Sequence, residues 1–319
     1  MRPPPGPPPI DPITPDVIRL AEDLLAFKWY FAGVFAVLFF DWFLTLADEV
    51  EFIWKGKKGS MFYLFLMNRY CPMAFCIITL FAYFSPLWNY ECGRLSYRRI
   101  SCDRFAIVEW LQTLLIVVPA EVVLLLRIYA LTNKNKHLCG LLVSIIVAEC
   151  VIVFYAMSMP GTNNALVLPH VPIDSFRVCI LYSDPKMDTA YLSTSLAFDC
   201  IVLAITLACT AAKNVKHHTR SWAILRTIRW DGALYFCVIL SGNVVWMALA
   251  INARPGLKFM NAQPSMYLTS IMINRLTLSV RKTAAEADEE STAIEWPTSI
   301  RWSRRPANNA SSHVIPTFA

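Results

Sequence analysis

Seven apolar stretches constrain what this chain can fold into more than any other feature. They run at roughly 28–47, 61–84, 105–129, 138–159, 190–212, 232–251 and 260–280, and each is about long enough to cross a bilayer as a helix. Composition agrees. Only 16% of the residues are charged and 56% are hydrophobic, whereas a soluble domain carries roughly 25% charged residues. The expected fold is therefore all-α: an integral membrane protein built as a seven-transmembrane helix bundle. The seventh stretch is the most polar and holds Pro264 and Arg275, with Ser270, Asn274 and Thr277 along one helical face. That stripe suits a helix packed among neighbours. An amphipathic helix lying on the membrane surface is the competing reading.

The flanks divide the chain into three parts. Residues 1–27 open with eight prolines in the first fifteen positions, which reads as an extended proline-rich tail. The stretch lacks the basic start and short apolar core of a cleaved leader, so the first span is expected to act as an uncleaved anchor. Residues 28–282 form the bundle. From 283 to 319 the chain turns polar, with an acidic run at Glu286, Asp288, Glu289 and Glu290, and is expected to be disordered.

Orientation has two witnesses. With the N-terminus outside, inner segments hold sixteen Lys and Arg against eleven outside, a modest bias in the positive-inside direction. Seven of the ten cysteines lie in or at the ends of apolar segments, and the three loop cysteines, Cys92, Cys102 and Cys179, fall in the second and fourth loops. Those loops share one face. Disulfides persist on the oxidising side, which places that face outside and the C-terminus in the cytoplasm.

Ionisable residues inside apolar stretches cost at least ~2.5–3.5 kcal/mol each on insertion scales, so they mark partners or tasks. Asp41, Asp48, Arg69, Glu121, Arg127 and Arg275 fall in the inner half on this orientation and are expected to form an intramembrane charge cluster. Asp41, Thr45 and Asp48 share one helical face, so Arg69 is expected to pair with Asp41, or with Asp48 if its stem reaches toward the inner surface. Such a cluster serves either as a proton or ion relay, or as a set of pairs that orient helices.

Other chemistry is missing. All five histidines lie in loops, helix ends or the tail, leaving no intramembrane set to hold zinc or iron. Phosphate-loop, zinc-hydrolase and serine-nucleophile motifs are absent, so no cofactor, metal or enzymatic role is expected. The net charge of +6 is spread over short loops, which suits a membrane surface rather than nucleic acid. The expected partner is membrane lipid, with a ligand left unidentified.

The stretch DWFLTLADEVEFIWKGKKG, followed by LMNRY, resembles the signature of a fungal membrane-protein family defined by domain of unknown function 6533. The matching positions are Asp41, Leu44, Thr45, Leu46, Glu49, Val50, Ile53 and Trp54, then Asn68, Arg69 and Tyr70. The signature region covers about residues 30–75, and weaker similarity reaches residue 282. The resemblance implies a fungal multi-pass protein and supplies no substrate.

Three functions stay open. A receptor-like seven-helix signalling protein with a cytoplasmic partner fits the span count and Arg127-Ile128-Tyr129 at the inner end of the third span. Cys102 and Cys179 resemble in position the disulfide of G-protein-coupled receptors, with Cys92 to Cys102 as the other pairing. No acid precedes Arg127, however, and the seventh segment lacks NPxxY. An ion- or proton-coupled transporter would use Glu121, Glu149 and Asp199, though no internal repeat is visible. A membrane scaffold would use the two tails.

Overall fold

The computed structural model describes residues 12–56, 58–85, 95–158, 163–165, 178, 180–213, 221–254 and 256–302. Over 95–106, 163–165, 181–183, 210–213, 221–234 and 287–302 it describes the backbone alone. Eight α-helices follow in order: α1 Pro15–Leu44, α2 Leu46–Glu49, α3 Ser60–Phe84, α4 Leu95–Leu131, α5 Lys136–Ser158, α6 Pro185–Lys213, α7 Ser221–Asn252 and α8 Ala262–Trp302. One π-helical turn, Val50–Trp54, follows α2. A short antiparallel pair, β1 Asn163–Ala165 with β2 Leu181–Ser183, lies against α4.

Among the described residues, six helices are long and apolar enough to cross a membrane: 15–44, 60–84, 107–131, 136–158, 185–209 and 235–252. Burial runs opposite to a soluble protein. Within α5, the most apolar of the six, only 22% of the spanning window is buried, and Val143, Val147, Val151 and Phe154 stand exposed on its outer side. The least apolar long helix, α8, is buried almost continuously from Ala262 to Ile271. It packs on α1, α3, α4 and α7, while α4 packs on α3, α5, α6 and α8. These two helices make the centre, and the surface-lying reading of the seventh stretch is overturned. Polar residues gather on α8 because its neighbours are protein groups that can answer hydrogen bonds.

Parts of both flanks are helical, while residues 1–11 and 303–319 lie outside the described residues. The tail read over 1–27 is helical from Pro15 onward, because Thr14 caps the helix, its hydroxyl accepting from the Val17 amide at 3.4 Å, and Pro15 occupies the first turn. Proline is tolerated there, where its missing N–H has no intrahelical role. Leu24 and Phe27 on this extension, and Phe31 just beyond it, are buried, with Phe27 and Phe31 edge-on to Tyr83 at 5.0 Å. At the other end α8 continues as far as Trp302, into the stretch read as disordered from 283 onward. Its Ala- and Glu-rich segment favours helix without needing a buried face.

Candidate functional site

The signature residues converge on one place, at the end of the bundle where α1 stops and α3 begins. The helix breaks at Thr45, whose backbone leaves the helical region (φ −97°, ψ 2°). Its hydroxyl donates back to the Asp41 carbonyl at 2.8 Å, a bond that bends helices. After the break, α2 and the π-turn carry Glu49 inward until it is fully buried. Arg69 of α3 reaches it: Nε lies 2.6 Å from Glu49 Oε2. The remaining guanidinium nitrogens donate to Thr45 Oγ1 and the Trp42 carbonyl, both at 2.8 Å. Glu49 Oε1 accepts from Tyr70 at 2.8 Å and from the Trp54 indole at 3.0 Å. A buried ion pair needs such further bonds to offset the cost of desolvating both charges.

This corrects the expected partner of Arg69. A straight first helix would present Asp41 or Asp48 to α3; the break at Thr45 turns Glu49 there instead. Asp41 accepts from Arg275 Nε of α8 at 2.6 Å, with the Arg275 side chain 39% exposed. Asp48 is half-buried and lines a recess of about 320 Å³ with Arg275, Ser279 and Lys282.

Asn68, beside Arg69, binds α3 to α8. Pro72 has no N–H to give the Asn68 carbonyl one turn back. Ser270 supplies the bond instead, its hydroxyl donating to Asn68 O, and Asn274 Nδ2 approaches the same oxygen at 3.4 Å. The Asn68 amide donates to Asn274 Oδ1 at 2.9 Å and to Ser270 O at 3.3 Å. The polar face read on the seventh stretch is thus a seam to α3 at Ser270 and Asn274, whereas the Thr277 hydroxyl donates within its own helix to Ile273 O.

The expected six-residue charge cluster divides. Asp41, Asp48, Arg69 and Arg275 meet at the signature end. Glu121 lies elsewhere, beside Glu149 of α5 and Asp199 of α6. Asp199 accepts from Asn243 of α7 at 2.5 Å, and Ser265 of α8 donates to Asn243 at 2.5 Å. Arg127 sits over the Phe236 ring at 5.9 Å. Its Nη1 has no acceptor among the described residues.

Toward the opposite end, α3, α4, α6, α7 and α8 enclose a recess of about 50 Å³, lined by Tyr83, Glu109, Trp110, Asp188, Tyr191, Trp246 and Gln263 among others. Its floor, Tyr191, Trp246 and Met266, is also the roof of a cavity of about 20 Å³ above Glu121 and Asp199. Tyr83 donates to Glu109 at 3.3 Å, and Gln112 donates to Gln263 and Tyr267, both at 2.9 Å. Lys258 pairs with Asp188 at 3.3 Å, both buried. The indole N–H groups of Trp110 and Trp246 are buried with no acceptor among the described residues. Sequence reasoning missed this polar hub. Glu109, Gln112, Gln263 and Tyr267 are dispersed in sequence, although two polar residues one turn apart on α8 were a readable signal.

The side chains of Cys92, Cys102 and Cys179 lie outside the described residues; Cys102 itself belongs to α4. Among the described residues no three His, Cys, Asp or Glu side chains are placed to hold a metal ion. No curated protein and no solved structure matches the chain. A family of unknown function, DUF6533, matches residues 29–74, the segment that carries Asp41, Thr45, Glu49, Trp54, Asn68, Arg69 and Tyr70.

Proposed function

We propose that this chain is a seven-helix integral membrane protein of fungal origin, N-terminus outside and C-terminus cytoplasmic, that works as a receptor-like signalling protein without catalytic activity. In this reading α8 is the seventh span, tolerated in the bilayer because its polar residues face protein. The observation that carries the reading is the recess at the end where α1 and α6 begin. It is concave, carries five aromatic side chains, and holds two buried indole donors without acceptors among the described residues. Orphaned buried donors are costly, so a small lipophilic ligand with an oxygen acceptor suits this site. The signature cluster at the other end holds α1, α3 and α8 together, in a position to respond to movement of α8. Thermal-shift screening in lipid nanodiscs, using small lipophilic ketones and alcohols, tests the binding half. Stabilisation of the wild type that disappears in Trp110→Phe and Trp246→Phe is expected. Nucleotide exchange on added G proteins tests the signalling half.

A proton-coupled transporter is the second reading, favoured by the buried trio Glu121, Glu149 and Asp199. Proton flux in liposomes under an imposed gradient, lost in Glu121→Gln, would select it over the receptor.

A further inference from the structure

The three carboxyl groups below the recess pose a separate physical problem. Glu121 on α4, Glu149 on α5 and Asp199 on α6 are buried within three of the candidate spans. Asp199 is held by Asn243. Neither oxygen of Glu149, a residue 1% exposed, nor Oε2 of Glu121 receives a hydrogen bond from any described donor. The Glu121 and Glu149 carboxyls nonetheless lie within hydrogen-bonding reach of each other. Two carboxylate ions can only accept, so a bond between them requires a proton on one.

Among the described residues, nothing else facing the trio supplies positive charge. The further titratable groups are Cys150 on α5 and Tyr191 on α6. The packed elements α7 and α8 offer the neutral Asn243 and Thr269. Arg127, six residues along α4, is engaged over Phe236. The described residues place no Lys, Arg or His against the three acids. The 20 Å³ cavity between Glu121 and Asp199 has room for one water.

We propose that Glu121, Glu149 and Asp199 form a hydrogen-ion binding site inside the bundle, with one proton shared between Glu121 and Glu149. Uptake forms an O–H bond on a carboxylate oxygen of that pair, the proton coming from water by way of the cavity beside Asp199. Release returns it by the same route, and no electrons move. The site does not depend on ligand binding in the recess, because the proton would be held with the recess empty.

Infrared difference spectroscopy of the full chain in lipid nanodiscs, titrated across neutral pH, tests the proposal, with thermal unfolding followed on the same samples. The wild type should show a protonated-carboxyl band at neutral pH that shifts in heavy water and is lost in Glu149→Gln. The folded chain then binds a proton that the unfolded chain has released. Tm should therefore fall as pH rises past neutral, and Glu121→Gln with Glu149→Gln should flatten that slope. If those variants do not fold, the wild-type spectrum decides alone. Absence of the band at neutral pH overturns the proposal. So does a Tm raised by sodium over choline at fixed pH and ionic strength, since the occupant would then be a metal cation.

Discussion

Arg69 Nε stands 2.6 Å from Glu49 Oε2 with both side chains shut off from solvent, and this pair joins α3 to the far side of a break in the first helix. Removing one partner strands the other charge in low dielectric, at about 3–5 kcal/mol. Arg69→Ala and Glu49→Ala should each cost that much, and the double variant should cost far less than their sum. A double-mutant cycle on thermal stability in lipid measures the coupling. Asp41→Ala should instead couple to Arg275→Ala, and more weakly, because the Arg275 side chain is well exposed. Additive losses in the Glu49 arm would refute the assignment.

The Asn68 carbonyl gives a second cycle. Ser270→Ala removes its bond from α8, at about 1 kcal/mol by the range measured between membrane helices. In a Pro72→Ala background, residue 72 can donate to that carbonyl within α3, so Ser270→Ala should cost less there. Equal losses in both backgrounds, read by unfolding in nanodiscs, would show that Pro72 does not create the need.

Close approach of α7 and α8 at Gly242 leads to a third outcome. A Cβ there would lie 3.0 Å from Ser265 Oγ, while the Gly242 carbonyl accepts from Asn261 at 2.8 Å and Asn261 accepts from Tyr30 at 2.8 Å. Gly242→Val should push the two helices apart and cost about 1–3 kcal/mol. Unchanged thermal stability would mean that the helices part without loss.

Orientation is tested by reporters. One fused after Ala319 should be cytoplasmic, and one inserted within 160–189 should be outside, following the one-sided loop cysteines. A luminal or glycosylated C-terminal reporter would reverse the bundle and with it the receptor reading.

The same face predicts a disulfide from Cys102 to Cys179, or from Cys92 to Cys102. Val178 and Ile180 flank Cys179 and are buried, and β2, immediately after, packs on α4, the helix that carries Cys102. Such a bridge is worth ~2–4 kcal/mol when unstrained. Peptide mapping without reductant should find one of the two pairings; three free thiols would end the expectation.

The helical, membrane-suited character of this chain was legible in hydropathy alone, because six stretches are apolar enough to need lipid. The role of α8 was legible only in part. Its polar stripe pointed to packing, but its central position follows from four neighbours that no periodicity names. The charge cluster was misread where local geometry intervened. Asp41 and Asp48 looked like the partners of Arg69 on an unbroken helix, and the threonine that bends the chain away from that register looked like an ordinary member of the stripe. Glu121, Glu149 and Asp199 were each noticed, but their meeting comes from the packing of three helices rather than from sequence spacing.

The π-turn has a consequence for length. Trp54 bonds to Glu49 across five residues, and the Lys55 amide closes on the Val50 carbonyl with the same five-residue reach. An ordinary helix would bring the fourth residue, not the fifth, over Glu49. Deleting a single residue between Val50 and Ile53 would let the turn relax to an α-helix with its backbone bonds intact, yet would rotate the indole off the carboxylate. The segment therefore works as a ruler: helical content would survive the deletion, while the lock between α1 and α3 would lose its register.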